Sequence, residues 1–210
     1  MESKQQLLET IEKAEPQRRE YLKSMFQYVP DAIVKAMSCK TFQKEEYLIR
    51  AGYDCTTVYI ILSGNVAGLD YQKQGKAYYF MDFAKMYVVG DFEVFGDIPQ
   101  YGVSICATQH CSVLTLSGAC YLAWVRHDEN ALFLRIKNIM SMLIFETKNE
   151  RELIFMNCKE RLAKYLAEAY EHKHGQSCER YKVDNTQPEL SDRIGYNVRS
   201  VQRSIAALEK

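Results

Sequence analysis

Much that would give a function away is missing from this sequence of 210 residues. It has no excess of one charge: 27 acidic residues stand against 27 basic ones, which excludes a polycation that coats nucleic acid indiscriminately. There is no CxxC pair and no even set of cysteines. The seven lie scattered at 39, 55, 106, 111, 120, 158 and 178, which is not a disulfide framework. No apolar run approaches the length of a membrane span, and the N-terminus is polar, so neither a spanning helix nor a secretory leader is expected. A cytoplasmic protein with reduced thiols is the simplest reading. The sequence also lacks a nucleophile elbow, a GxxxxGK phosphate loop and a metal triad of workable spacing, which argues against an enzyme. No repeat of 20–50 residues is visible.

What is present changes texture along the chain. Residues 2–28 carry apolar side chains at helical intervals, with Pro16 as a break or a first-turn residue, and a short helix follows Pro30 with Asp31 as its expected cap. From Cys39 the pattern becomes short β-branched and aromatic runs, such as VYIIL and SVLTL. These are separated by turn signals at Ala51-Gly52, Ser63-Gly64-Asn65, Gln74-Gly75-Lys76, Gly96-Asp97 and Tyr101-Gly102. That alternation predicts a compact antiparallel β-barrel or roll. Gly118 onward returns to helix, and from Asp128 to about Asn157 neither Pro nor Gly interrupts. About 28 residues at 1.5 Å each span about 42 Å, more than a small domain needs. The apolar seam Leu132, Ile136, Ile139, Leu143, Phe145, Leu153 and Ile154 suits pairing with a second chain, although a helix buried within one monomer is the plainer alternative. Lys159 to Tyr170 reads as another amphipathic helix, followed by His172, His174 and Cys178 and a strand-like ERYKV. Two histidines at i and i+2 face different sides of a helix, so the stretch reads as a solvated helix end and no metal site is assigned.

The most informative stretch is Pro188 to Leu208. Leu190, Ile194, Val198, Val201, Ile205 and Leu208 fall at helical spacing, interrupted by Gly195. A glycine accepts the left-handed backbone of a tight corner, and Asn197 can cap the helix that follows, so a helix-turn-helix is predicted. On its wet face stand Arg199, Gln202 and Arg203, and no acid occurs between Asp192 and Glu209. Arginine forks suit guanine edges and glutamine suits adenine, which fits a DNA major groove. A solvated helical hairpin in an all-α domain is the alternative on these residues alone.

Together the pieces resemble the superfamily of the cyclic AMP receptor protein and the fumarate and nitrate reduction regulator (CRP/FNR), most of all its divergent YeiL-type members. The matching residues are YIILSGNV, VGDFEVF, the long helix, RLAKYL and LSDRIGYNVRSVQRSI. The resemblance implies an α+β chain with three parts. Residues 1–127 would form an antiparallel β-roll, a cyclic-nucleotide-binding jelly roll, as effector domain. Residues 128–157 would form a long dimerisation helix, and 158–210 a winged helix-turn-helix. It implies a homodimer on palindromic double-stranded DNA, with RNA polymerase as a further partner and no membrane association. The sequence ends at Lys210, directly after the recognition helix, without residues for the implied β-hairpin wing.

By the resemblance, the effector pocket maps to Gly90, Asp91, Tyr101, Gly102, Glu146 and Thr147. Nucleotide-binding members carry Gly-Glu and later Arg followed by Ser or Thr, where this chain has Gly90-Asp91 and Tyr101-Gly102. The missing arginine removes a charge-assisted fork, a loss that costs about 2–5 kcal/mol at a buried pair. Glu146 would repel a phosphate. No cofactor is therefore assigned, cyclic AMP is not expected to bind, and the small-molecule effector is left open. The N-terminal cysteine cluster of the iron–sulfur branch is absent, and Cys106 and Cys111, near His110 and Cys120, read as strand-core residues. On DNA, the resemblance places Arg199, Gln202 and Arg203 at base edges, with Ser200 and Asn197 at phosphates. A cyclic-nucleotide responder with an unusual pocket, or a ligand-binding or interaction roll that does not bind DNA, are the alternatives.

Overall fold

The run Thr57–Ser63 (β3) is apolar on both faces, and the structure shows why: it lies between two cores. Val58, Ile60 and Leu62 belong to one, and Ile61, from the intervening register, to the other. The structure is a computed structural model that describes residues 3–71, 77–82, 87–173, 183 and 185–209. It divides into two units, Met1–Asp70 with Phe80–Leu143, and Tyr71–Tyr79 with Ile144–Lys210.

The strands form two antiparallel sheets. One has the order β1 (Ser38–Phe42), β8 (Cys111–Ser117), β3, β6 (Val88–Val89); the other has β2 (Tyr47–Ile49), β7 (Ser104–Ala107), β4 (Val66–Tyr71), β5 (Ala77–Asp82). The pairing Val58↔Leu116, Ile60↔Leu114, Ile61↔Val113 fixes which side chains meet each core, because a one-residue slip would exchange the faces. Between the sheets lie Leu48, Ile49, Ile61, Val66, Val89, Tyr101, Ile105 and Val113. On the other side of β3, Leu7 and Ile11 of α1 (Lys4–Glu12), Leu22 and Met25 of α2 (Pro16–Met25), Val34 of α3 (Asp31–Ala36), and Tyr121 and Trp124 of α5 (Gly118–Val125) close the larger core. Pro16 is the first residue of α2, as its sequence context suggests, since a missing N–H is harmless there. Asp31 does not cap α3. The N-cap is Pro30, without a side-chain bond, and Asp31 instead lies 3.7 Å from the Lys4 ammonium.

Arg18 is buried in an apolar layer, which the sequence did not suggest. Its guanidinium donates to the Gly64 carbonyl at 2.6 Å and to Glu15 at 2.9 Å, while Glu15 accepts the Gly64 N–H at 2.8 Å. An ion pair thus clamps the β3–β4 turn onto α2.

The long helix α6 (Glu129–Ile154) has 26 residues, about 39 Å at 1.5 Å per residue. Asp128 caps it, accepting the Ala131 N–H at 3.0 Å and the Trp124 indole N–H at 2.9 Å. Within the first unit the helix has two faces. Ala131 and Arg135 are buried, and Met142 packs on the inter-sheet core. Phe133, Ile136, Met140 and Leu143 are exposed, Phe133 at 69%. The seam expected from sequence is accordingly redrawn: Ile136 and Leu143 stay in it, Leu132 and Ile139 are half-buried, and Phe133 and Met140 join. The a/d spacing of three and four runs through Phe133, Ile136, Met140 and Leu143. Farther along α6, Ile144, Phe145 and Ile154 are exposed and Leu153 is half-buried.

Arg135 is fully buried and bidentate to Asp91, with Nε–Oδ2 at 2.6 Å and Nη2–Oδ1 at 2.9 Å; it also donates to the Val88 carbonyl at 3.0 Å. Burial alone would lower its pKa, but Asp91 more than reverses this and holds it above the ordinary arginine value. Removing one partner of such a pair leaves the other charge unmatched in a dry interior. Arg135→Ala should therefore lose about 3–5 kcal/mol in urea unfolding, whereas the joint change Arg135→Met, Asp91→Leu should lose much less. Equal losses in the two variants would show that shape rather than charge is at stake.

Candidate functional site

Two places were marked by the sequence: the helix-turn-helix lies within the second unit, whereas the residues marked as an effector pocket are divided, Gly90, Asp91, Tyr101 and Gly102 in the first unit and Glu146 and Thr147 in the second. In the second unit, α7 (Cys158–Lys173), α8 (Gln187–Ile194) and α9 (Val198–Leu208) enclose a small core of Leu162, Leu190, Ile194 and Val201, flanked by Tyr165, Leu166, Tyr196 and Ile205. Thr186 and Glu189 close a reciprocal capping box at the start of α8, which the T-x-x-E spacing encodes. Gly195 ends that helix at φ +73, in the left-handed region, and its N–H bonds the Ser191 carbonyl at 3.1 Å. Asn197 then caps α9, its Oδ1 accepting the Ser200 N–H at 2.9 Å. Both corner residues occupy the places the sequence gives them.

The α9 surface divides cleanly. Val201 and Ser204 are buried, and Val198 and Ile205 half-buried, whereas Arg199, Gln202 and Arg203 are exposed together. Neither arginine forms an ion pair among the described residues. Asn197 is exposed, and Ser200 is half-buried beside it. Leu208, expected in the apolar stripe, is 40% exposed. Arg161, which the sequence reading passed over, braces the corner: it donates to the carbonyls of Ile194 at 3.3 Å and Leu153 at 2.8 Å, and its guanidinium lies over the Tyr196 ring. Gln202 Nε2 donates to Gln187 Oε1 at 2.8 Å, joining the two helices across the exposed face.

In the first unit, Gly90 precedes the five-residue helix α4 (Asp91–Phe95) at φ +84, and a Cβ there would come within 2.8 Å of the Thr57 carbonyl. The residues marked as an effector pocket are engaged with protein groups. The Asp91 carboxylate binds Arg135 and accepts the Tyr121 hydroxyl at 3.2 Å. The Tyr101 hydroxyl donates to the Thr57 carbonyl at 2.6 Å and accepts its N–H at 3.0 Å, and burial pushes its pKa up, keeping it a neutral phenol. The Gly102 N–H donates to Glu93 Oε1 at 3.1 Å. An anion belonging to the chain is thus already placed on that backbone donor, and Glu93 was not singled out in the sequence. Glu146 and Thr147 lie on α6 in the second unit, half-buried and exposed.

Cys106 and Cys111 are buried free thiols whose pKa burial raises, as strand-core cysteines should be. Among the described residues no group of three or more His, Cys, Asp or Glu is arranged to hold a metal ion, and no helix is long and apolar enough to cross a membrane. His174, Cys178 and most of the strand-like 179–183 stretch lie outside the described residues, as do the side chain of His172 and the turn signal at 74–76.

Residues 39–128 match the cyclic nucleotide-binding domain family, so the roll is a domain of that kind. The chain is 25% identical over 183 residues to the anaerobic regulatory protein of Pasteurella multocida (strain Pm70), covering 81% of this chain and 63% of the relative. It therefore spans less than two thirds of that protein. Among solved structures, its fold is similar to that of the c-di-GMP responsive global regulator CLP of Xanthomonas campestris (TM-score 0.74, 15% identity, 84% of this chain and 88% of that one). It is also similar to a CRP-family transcriptional regulator of Thermus thermophilus (TM-score 0.65, 18% identity, 81% and 84%). The named relative is a regulatory protein, and the two solved structures, at 15% and 18% identity, show a shared fold.

The corner at Gly195 yields a direct test. A side chain at positive φ costs about 1–2 kcal/mol, and less for asparagine. Gly195→Ala should lower the melting transition of the second unit, and Gly195→Asn should recover part of the loss. An unchanged transition in Gly195→Ala would mean that the corner is not held in this conformation.

Proposed function

We propose that the protein is a homodimeric, sequence-specific DNA-binding transcription regulator whose roll does not take cyclic AMP. The observation that carries this reading is the α9 face, where Arg199, Gln202 and Arg203 are exposed together on a helix capped by Asn197. With equal totals of acid and base, affinity for DNA must come from such a local patch. The acid-free run from 193 to 208 supplies one, with arginines at 193, 199 and 203. Arg199 and Arg203 offer forks to guanine O6 and N7, and Gln202 offers an amide to adenine. Asn197 and Ser200, at the helix N-terminus, are suited to phosphates.

The exposed Phe133, Ile136, Met140 and Leu143 face of α6 supports a dimer. A paired α6 would carry two recognition helices, to be set about 34 Å apart on a palindromic operator. A shift of the paired helices is the regulatory motion this reading implies, with RNA polymerase as the downstream partner. Acting on chromosomal DNA places the protein in the cytoplasm.

Three features weigh against cyclic AMP. Gly102 N–H is occupied by Glu93, Asp91 is spent on Arg135, and Tyr101 stands where an arginine fork would be needed. The family's nucleotide does not fit this donor set, and the effector, if one exists, is of another class.

Binding-site selection from a randomised duplex library, followed by titration of the selected site, tests the DNA reading. Affinity for it should fall steeply as salt rises. Arg203→Ala should cost about 1–3 kcal/mol and relax one base position, while Ser200→Ala should weaken all sequences alike. Uniform losses from both variants would remove Arg203 from base reading. Separately, calorimetry should give no cyclic AMP binding; a dissociation constant of a few micromolar or better would contradict the reading of the roll.

A further inference from the structure

The bond between Gln202 and Gln187 does more than tie two helices together. Gln187 is the first residue of α8, and its backbone is set by the capping box: the Glu189 carboxylate accepts the Thr186 N–H at 2.7 Å, and Thr186 Oγ1 accepts the Glu189 N–H at 3.4 Å. Its side chain therefore projects from a fixed base. Gln202 lies on α9 between Arg199 and Arg203, exposed like both of them. The two amides meet at 2.8 Å, fifteen residues apart in sequence.

A hydrogen bond between two exposed amides adds little to stability, because water competes for both groups. Its effect is on orientation. A glutamine amide carries two N–H donors and one carbonyl acceptor. Gln187 takes one N–H of Gln202, which leaves one N–H and the carbonyl. Adenine presents N7 as an acceptor and N6–H as a donor in the major groove, and needs that pair. The rotation that a free glutamine would have to give up on binding is already restricted by Gln187.

We propose that Gln187 is a positioning residue for base recognition: by accepting one amide proton of Gln202, it presets the remaining donor and acceptor of Gln202 to read an adenine. The proposal rests on the DNA-binding reading above. It adds a specificity determinant from outside the recognition helix and assigns the base that Gln202 selects.

The test is binding-site selection from the randomised duplex library with the full chain as wild type, Gln187→Ala, Gln187→Glu, Gln202→Ala and the double variant Gln187→Ala, Gln202→Ala. Melting curves of each variant confirm that it is folded. The wild type should enrich adenine at one position in each half-site, and Gln202→Ala should abolish that enrichment. Gln187→Ala should reduce the adenine preference there by about 2- to 10-fold, the cost of ordering one more side chain on binding, and leave the other positions unchanged. In the Gln202→Ala background it should change nothing further at that position. Gln187→Glu still offers an acceptor, so it should keep the adenine preference while weakening binding to every sequence, because its charge faces phosphates. The proposal is overturned if Gln187→Ala weakens all sequences equally, as a phosphate contact would, or leaves the preference intact. It also fails if the wild type selects no adenine while other positions are specified. A wild type with no sequence preference at all would defeat the DNA-binding reading along with it, so the two failures differ already in the wild-type lane.

Discussion

A guanidinium that is fully buried must be matched, and the match between Arg135 and Asp91 fixes how the roll meets the start of its long helix. Through this pair α6 is joined to the first residue of α4 and, by the Val88 carbonyl, to β6, while the Tyr121 hydroxyl brings in α5. Buried ion pairs are poor sources of net stability, because desolvation consumes most of the attraction. They do penalise every arrangement in which one partner is left alone. A sliding or rotated α6 would strand two charges in the core, so one register of the helix on the roll is selected. The same pairing removes Asp91 from the groups that could meet a ligand.

With one face of α6 committed to the roll, the opposite face is left apolar and open at Phe133, Ile136, Met140 and Leu143. In the proposed dimer, a second copy of the helix would cover this apolar stripe, whose spacing is that of a heptad seam. The two faces are separate on the helix surface.

How far the sequence disclosed this depends on the kind of signal. The antiparallel roll was legible because turn residues punctuate short β-branched runs, and the helix-turn-helix because Gly195 and Asn197 carry backbone requirements that few residues meet. The α6 seam was only half legible. Leu132 and Ile139 look as apolar as Ile136, and which of them faces the roll depends on where Arg135 is anchored, a fact of tertiary pairing. Arg18, Glu93 and Arg161 gave no local signal, since an arginine or glutamate reads as a solvated residue until its partner, dozens of positions away, is known. The link from Gln202 to Gln187 was hidden for the same reason. The α9 face was marked correctly as exposed because an acid-free stripe opposite an apolar one is a property of the helix itself.

The central claim is that two copies of this chain present their α9 faces to one duplex. Sedimentation equilibrium of the full chain, mixed with a duplex carrying its selected site and with a scrambled duplex of equal length, tests it most directly. The account predicts two protomers on each selected duplex, with the complex lost on the scrambled one and dissolving as salt is raised. A single protomer per duplex, or equal binding to both duplexes, would contradict it.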